Sequence, residues 1–112
     1  MALRRNKHNA RSVRIDGIYF PSTGEAERYK ELKLLENANE IDRLVVHPRY
    51  PILIDDDEVC IVVLDFEYYD VKTRNLVYED FKGYQTSESK LRHKLFEAFY
   101  GEKITITRKA KR

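Results

Sequence analysis

Residues 59–82, VCIVVLDFEYYDVKTRNLVYEDFK, constrain the fold of this chain more than any other segment. Positions 59–70 are rich in β-branched and aromatic residues and read as its strongest strand. VKTRN turns the chain back, and LVYEDFK (76–82) is the expected hairpin partner. Such a pair must lie in the core of a small domain, yet it carries Asp65, Glu67, Asp80 and Lys82. Strand side chains alternate between faces. One face should therefore hold Val59, Ile61, Val63, Asp65, Glu67 and Tyr69. On the partner, Leu76, Tyr78, Asp80 and Lys82 share a face, while Glu79 and Phe81 turn away, Glu79 to solvent or to a partner elsewhere. With the turn centred near Lys72–Arg74, Asp65 falls opposite or diagonal to Asp80 and Lys82. Directly opposed residues have Cβ atoms about 5 Å apart.

Two carboxylates that close repel each other, so one takes up a proton or a cation sits between them. Hard oxygen donors suit Mg2+ or Mn2+. The Lys82 ammonium, pointing into the same space, would hold an attacking water or stabilise a crowded phosphate. A Lewis acid, a water and a positive charge are the requirements of metal-assisted phosphodiester hydrolysis. The plainer reading of Asp80-x-Lys82 is an ordinary salt bridge on an exposed sheet face, and spacing alone does not separate the two. Glu67 is a reserve ligand on the same face.

The surrounding elements are predicted as follows. VRIDGIYF places Asp16-Gly17 between β-formers, a tight hairpin. Ser22 with Glu25 three residues on is a capping box opening a helix from Thr23 to about Ala38, with Ala26, Tyr29, Leu32 or Lys33, and Glu36 at helical spacing. IDRLVVHPRYPILI is extended, but Pro48 and Pro51 limit it to an edge strand or a broken one, and DDDE (55–58) is a polar turn. SESKLRHKLFEAFYG gives a second helix with Leu91, Leu95, Ala98 and Phe99 on its apolar face and Gly101 as the stop. KITITR closes the order as a short strand.

A chain of 112 residues with 42% hydrophobic content supports one modest core. No apolar run approaches the roughly 18 residues needed to span a bilayer, and MALRRNKHNARSVR is no secretion signal. A lone Cys60, expected to be buried, and the absence of a leader point to an intracellular protein. The net charge of +2 is polarised: residues 1–14 carry +5 through Arg4, Arg5, Lys7, Arg11 and Arg14, residues 108–112 carry +4, and −7 lies between. Two basic ends around an acidic middle suit a polyanion such as DNA, provided a cation neutralises the acids locally. Lys90 and Lys94, one helical turn apart, and Gln85, just past the second acidic strand, are further candidates for DNA contact. His8, His47 and His93 show no mutual metal-ligand spacing, which argues against zinc. Tyr68, Tyr69, Tyr78 and Tyr84 read as core and rim aromatics.

An acid in mid-strand, a hairpin, then acid-x-Lys, all between two helices, resembles the PD-(D/E)XK nuclease superfamily. DGIYFPSTGEAERYKELKLLE, HPRYPIL, LDFEYYD and VYEDFKG in that order are similar to a small phage-encoded branch resembling Holliday junction resolvases. The resemblance covers roughly residues 12–106, and Leu64 stands where the superfamily's name has proline. It implies an α+β, restriction-endonuclease-like core running helix-strand-strand-strand-helix-strand behind a β-hairpin, with residues 12–107 as the domain between a basic arm (1–11) and a basic tail (108–112). It assigns Asp65 and Asp80 as metal ligands, the Phe81 carbonyl as a further ligand and Lys82 as the catalytic lysine. The family's helix-borne acid falls at Glu25, which the capping box with Ser22 explains equally well. The implied activity is Mg2+- or Mn2+-dependent endonucleolytic cleavage of DNA, branched or junction DNA above all, by a homodimer able to make paired cuts. The alternatives are a non-catalytic nucleic-acid-binding or assembly module on the same fold, and a nuclease for RNA or single-stranded ends.

Overall fold

The computed structural model describes residues 11–82 and 85–108. The hairpin expected at Asp16-Gly17 is β1 (Val13–Ile15) and β2 (Ile18–Phe20), paired Ile15↔Ile18 across a two-residue turn. Both turn residues have positive φ (54° and 76°), the geometry that Asp-Gly accommodates. Helix α1 (Thr23–Asn37) follows, one residue shorter than predicted, with Ala38 as its C-cap. Ala26, Tyr29 and Leu32 on its inner face pack with Phe20, Ile41, Phe66 and Tyr68 into the first core.

The extended middle of the chain forms a single long antiparallel arm with a corner in it. Its lower half is β3 (Ile41–Val46) against β6 (Phe66–Asp70), and its upper half is β4 (Arg49–Ile54) against β5 (Asp57–Val63). The pairing Val46↔Phe66 continues in register into Arg49↔Val63, which leaves His47-Pro48 opposite Leu64-Asp65 at the bend. Two hydrogen bonds clamp the corner, from His47 N–H to the Asp65 carbonyl (2.9 Å) and from Leu64 N–H to the Pro48 carbonyl (3.2 Å). The strand expected over 59–70 is therefore two strands, because Pro48 has no N–H to offer the ladder and His47 turns through φ +54°. The upper half departs as a two-stranded ribbon, closed at Asp55-Asp56 by another pair of positive-φ residues.

The lower half joins β7 (Asn75–Phe81), antiparallel to β6, and β8 (Ile104–Thr107), parallel to β7, in a four-stranded sheet of order β3-β6-β7-β8. Helix α2 (Ser87–Tyr100) crosses between β7 and β8 and ends on Gly101 in the left-handed conformation (φ 70°). Glu79, on one face of β7, pairs with Arg28 of α1, whereas Asp80, on the other, meets His93 of α2. Alternation thus puts the helices on opposite faces of the sheet. Phe96 of α2 fills a second core with Ile52, Val62 and Leu64 in the crook of the bent arm.

The alternation expected over 59–70 holds across the bend, with Val62, Leu64, Phe66 and Tyr68 buried and Val59 and Val63 exposed. Other expectations need correction. The inner face of α2 carries His93 and Phe96, so Leu91, Ala98 and Phe99 are exposed and Leu95 is half-buried. Cys60 is half-buried rather than buried. Of the two alternatives for Glu79 the second holds: it is fully buried and paired with Arg28. Tyr68 and Tyr78 do serve the core and its rim, while Tyr84, like His8, lies outside the described residues.

Candidate functional site

The corner of the arm, the first turn of α1 and the end of β7 meet at one place, where the acids predicted from sequence converge. The Asp65 N–H donates to Asp80 Oδ1 (3.0 Å), and the Phe81 N–H donates to Asp65 Oδ2 (2.7 Å). Each acid is therefore held by the other strand's backbone, just beyond the last paired rung Phe66↔Glu79. The Asp80 carbonyl faces Thr107 of β8 (Oγ1 at 3.5 Å), as does the Lys82 N–H (2.9 Å to the Thr107 carbonyl). By strand alternation the Phe81 carbonyl turns to the opposite side, towards Asp65.

Glu25 arrives from α1. Its N–H donates to Ser22 Oγ (3.2 Å), so the helix is capped, but its carboxylate points elsewhere, 2.9 Å from His47 Nε2. Only half of a capping box forms, and the side chain remains at the site. A ring nitrogen of His47 and carboxylate oxygens of Glu25 and Asp65 all lie within 4.8 Å of one another, close enough to share an ion. Burial pushes the Asp65 carboxyl well above the usual carboxylate range, and the charges of Asp80 and Glu25 push it further. Crowded acids with that response and an imidazole beside them make a donor set that fits a divalent cation.

Asp80 is buried, with Lys82 Nζ at 3.2 Å and His93 Nε2 at 2.7 Å on the same oxygen, Oδ2. The salt bridge considered from sequence does form, but around a carboxylate withdrawn from solvent. The Gln85 amide lies 3.1 Å from His93 Nδ1; with that nitrogen accepting, Nε2 carries the proton that Asp80 accepts. Gln85 is thus engaged with a ring behind the site. A cleft of about 200 Å³, walled by Val62, Thr86, Ser89 and Arg92, opens onto Asp80, Lys82 and His93. Arg92 is anchored there by donating to the Ile61 carbonyl (3.0 Å).

The remaining candidates are dispersed. Glu67 accepts from the Tyr50 hydroxyl (2.5 Å) and is committed to the second core. Arg11, Arg14, Lys90 and Lys94 are exposed. Arg4, Arg5 and Lys7 and the tail beyond Arg108 lie outside the described residues. The site residues that sequence reasoning missed are His47 and His93. Neither belongs to a ligand spacing, since their partners are 22 and 13 residues away. The one local sign is His47-Pro48, and it marks a bend only once the strand on its other side is known to bend with it.

Residues 5–112 match the model of a family described as "Protein of unknown function (DUF1064)", and the chain belongs to that family. No curated protein and no solved structure matches it.

Proposed function

We propose that this DUF1064 protein is a metal-dependent DNA endonuclease that hydrolyses phosphodiester bonds, with branched or junction DNA as its preferred substrate. The observation that carries the reading is the convergence of Glu25, Asp65, Asp80 and Lys82 at one corner of the sheet. The element order α1, β3, β6, β7, α2, β8, with the β4–β5 ribbon as an elaboration of the arm, supports a restriction-endonuclease-like core.

Asp65, Glu25, the Phe81 carbonyl and the second lone pair of Asp80 Oδ1 would hold Mg2+ or Mn2+. Bound there, the ion would offset the crowded carboxylates and draw charge from a phosphate. Lys82 has its own task. Its ammonium sits at the mouth of the site, side chain 24% exposed, tied to Asp80 at 3.2 Å. From there it donates to an attacking water and to non-bridging phosphate oxygens, and steadies the negative charge that grows as the bond to phosphorus forms. Asp80, fixed from three sides, keeps that ammonium in place. Arg11, Arg14, Lys90 and Lys94 would meet flanking phosphates, as would the basic arm and tail. A homodimer would supply the two centres that paired cuts require.

The test is purified protein with a synthetic four-way junction, a matched linear duplex and Mg2+ or Mn2+. Cleavage is expected on the junction and lost on chelation. A drop of about a hundredfold or more is expected in Lys82→Ala. Equal cutting by the wild type and Lys82→Ala would remove the assignment. Junction binding without cleavage under any divalent ion would make the protein a binding module instead.

A further inference from the structure

We infer that His47 is a direct ligand of the cation in this site and that its nitrogen tips the site towards Mn2+ over Mg2+. The inference rests on the metal-dependent reading above and deepens it.

The geometry comes from the bend in the arm. His47 lies directly across from Asp65, with its own N–H on the Asp65 carbonyl (2.9 Å), so the residue cannot drift from that acid without opening the corner. Its ring leans on Phe20 (centroids 5.7 Å apart), and the Pro48 that follows is buried. The backbone is held at φ +54°, a conformation that costs a non-glycine residue about 1 kcal/mol or more and persists where the surroundings over-determine it. The result is an imidazole fixed between two carboxylates, one from α1 and one from the opposite strand, with a ring nitrogen in the shared 4.8 Å cluster and its Nε2 2.9 Å from Glu25.

That donor set separates ions. Mg2+ demands near-octahedral oxygen coordination and gives up its waters reluctantly, whereas imidazole nitrogen suits first-row transition ions. Nε2 of His47 lies 2.9 Å from Glu25 Oε2, so the ring and the carboxylate face each other. With the ring proton on Nδ1, the Nε2 lone pair would be available to a cation, beside the carboxylate of Glu25.

The experiment uses the full-length protein stripped of metal and titrated separately with MnCl2 and MgCl2 by calorimetry. Pulsed electron paramagnetic resonance of the Mn2+-loaded protein is recorded alongside. The variant is His47→Asn, because asparagine tolerates positive φ and leaves the corner intact. We expect 14N coupling to Mn2+ in the wild type and none in His47→Asn. Mn2+ affinity should fall about tenfold or more in the variant while Mg2+ affinity changes by less than about threefold. The wild-type spectrum decides the matter even if the variant fails to fold. Mn2+ bound without 14N coupling overturns the role of His47 and leaves the metal-dependent reading standing. Absence of uptake of either ion by the wild type overturns both.

Discussion

Asp65 and Asp80 are joined through the backbone: the N–H of Asp65 donates to the carboxylate of Asp80 at 3.0 Å, one step beyond the last rung of the β6–β7 ladder. The carboxylate of Asp65 in turn takes the N–H of Phe81. The two acids are positioned by main chain, so their separation is set by the sheet and does not await a ligand. Preorganisation of this kind is what a site for developing charge requires.

The first consequence concerns metal. Uptake at Asp65 and Glu25 should stabilise the fold by mass action, about 2.7 kcal/mol at a hundredfold excess over Kd. Differential scanning fluorimetry should register a rise of several degrees with Mn2+, reversed by chelation. Asp65→Asn should lose the rise. Without metal that variant should be at least as stable as the wild type, because it relieves the repulsion that burial and the neighbours Asp80 and Glu25 impose on the Asp65 carboxylate.

A second concerns the buried acid next door. Glu79 is fully buried and takes both Arg28 Nε (2.7 Å) and Nη2 (2.9 Å), the Tyr68 hydroxyl (2.7 Å) and Thr107 Oγ1 (3.1 Å). Removing one partner of such a pair strands a charge. Arg28→Ala should lower unfolding stability by about 3–5 kcal/mol, read from urea denaturation. Arg28→Met with Glu79→Leu should recover much of that loss. Equal destabilisation by the single and the double substitution would mean that packing, not charge, holds the residues.

Gly24 tests the fit of α1 on the sheet. A Cβ at this position would lie 2.5 Å from Phe81 Cε1 and 2.7 Å from Cζ. Gly24→Ala must push the Phe81 ring aside, a strain of about 1–3 kcal/mol. Because the Phe81 N–H secures Asp65, the proposed cleavage should fall with stability. Phe81→Leu, which vacates the ring edge, should restore both in the Gly24→Ala background, as measured by denaturant midpoint and junction turnover.

Alkaline behaviour follows from two phenols. Burial raises Tyr50 above its ordinary value and its hydrogen bond to Glu67 raises it further; burial and then Glu79 do the same for Tyr68. The native state keeps protons that the unfolded chain releases above about pH 10. Their stabilising contribution is whole below that pH and declines as pH rises beyond it. Melting temperature should fall steadily above pH 10, and Tyr50→Phe should make that decline shallower.

Much of this was legible from the residues. Asp16-Gly17 located a hairpin, Ser22 the start of α1 and Gly101 the end of α2, because each signal is local and has a backbone cause. The meeting of Asp65 with Asp80 followed from alternation and one turn. The corner did not, since nothing in VCIVVLDFEYYD marks Leu64-Asp65 as a break; the cause sits across the arm at His47-Pro48. The buried face of α2 was misread for a related reason. Leu91 and Phe99 outrank His93 in hydropathy, but His93 has Asp80 to bond and they have no such partner. Polar burial is decided by long-range partners, which hydrophobic spacing does not register.

Glu79 and Asp80 are neighbours in sequence that reach through the sheet in opposite directions, one to the guanidinium of Arg28 and the other to the imidazole of His93. A single peptide unit therefore pins both outer layers to the central one, like a rivet with a head on each side. Neither layer can peel away without uncovering a carboxylate, so this dipeptide should tie the departure of one helix to that of the other and make the domain come apart as a whole.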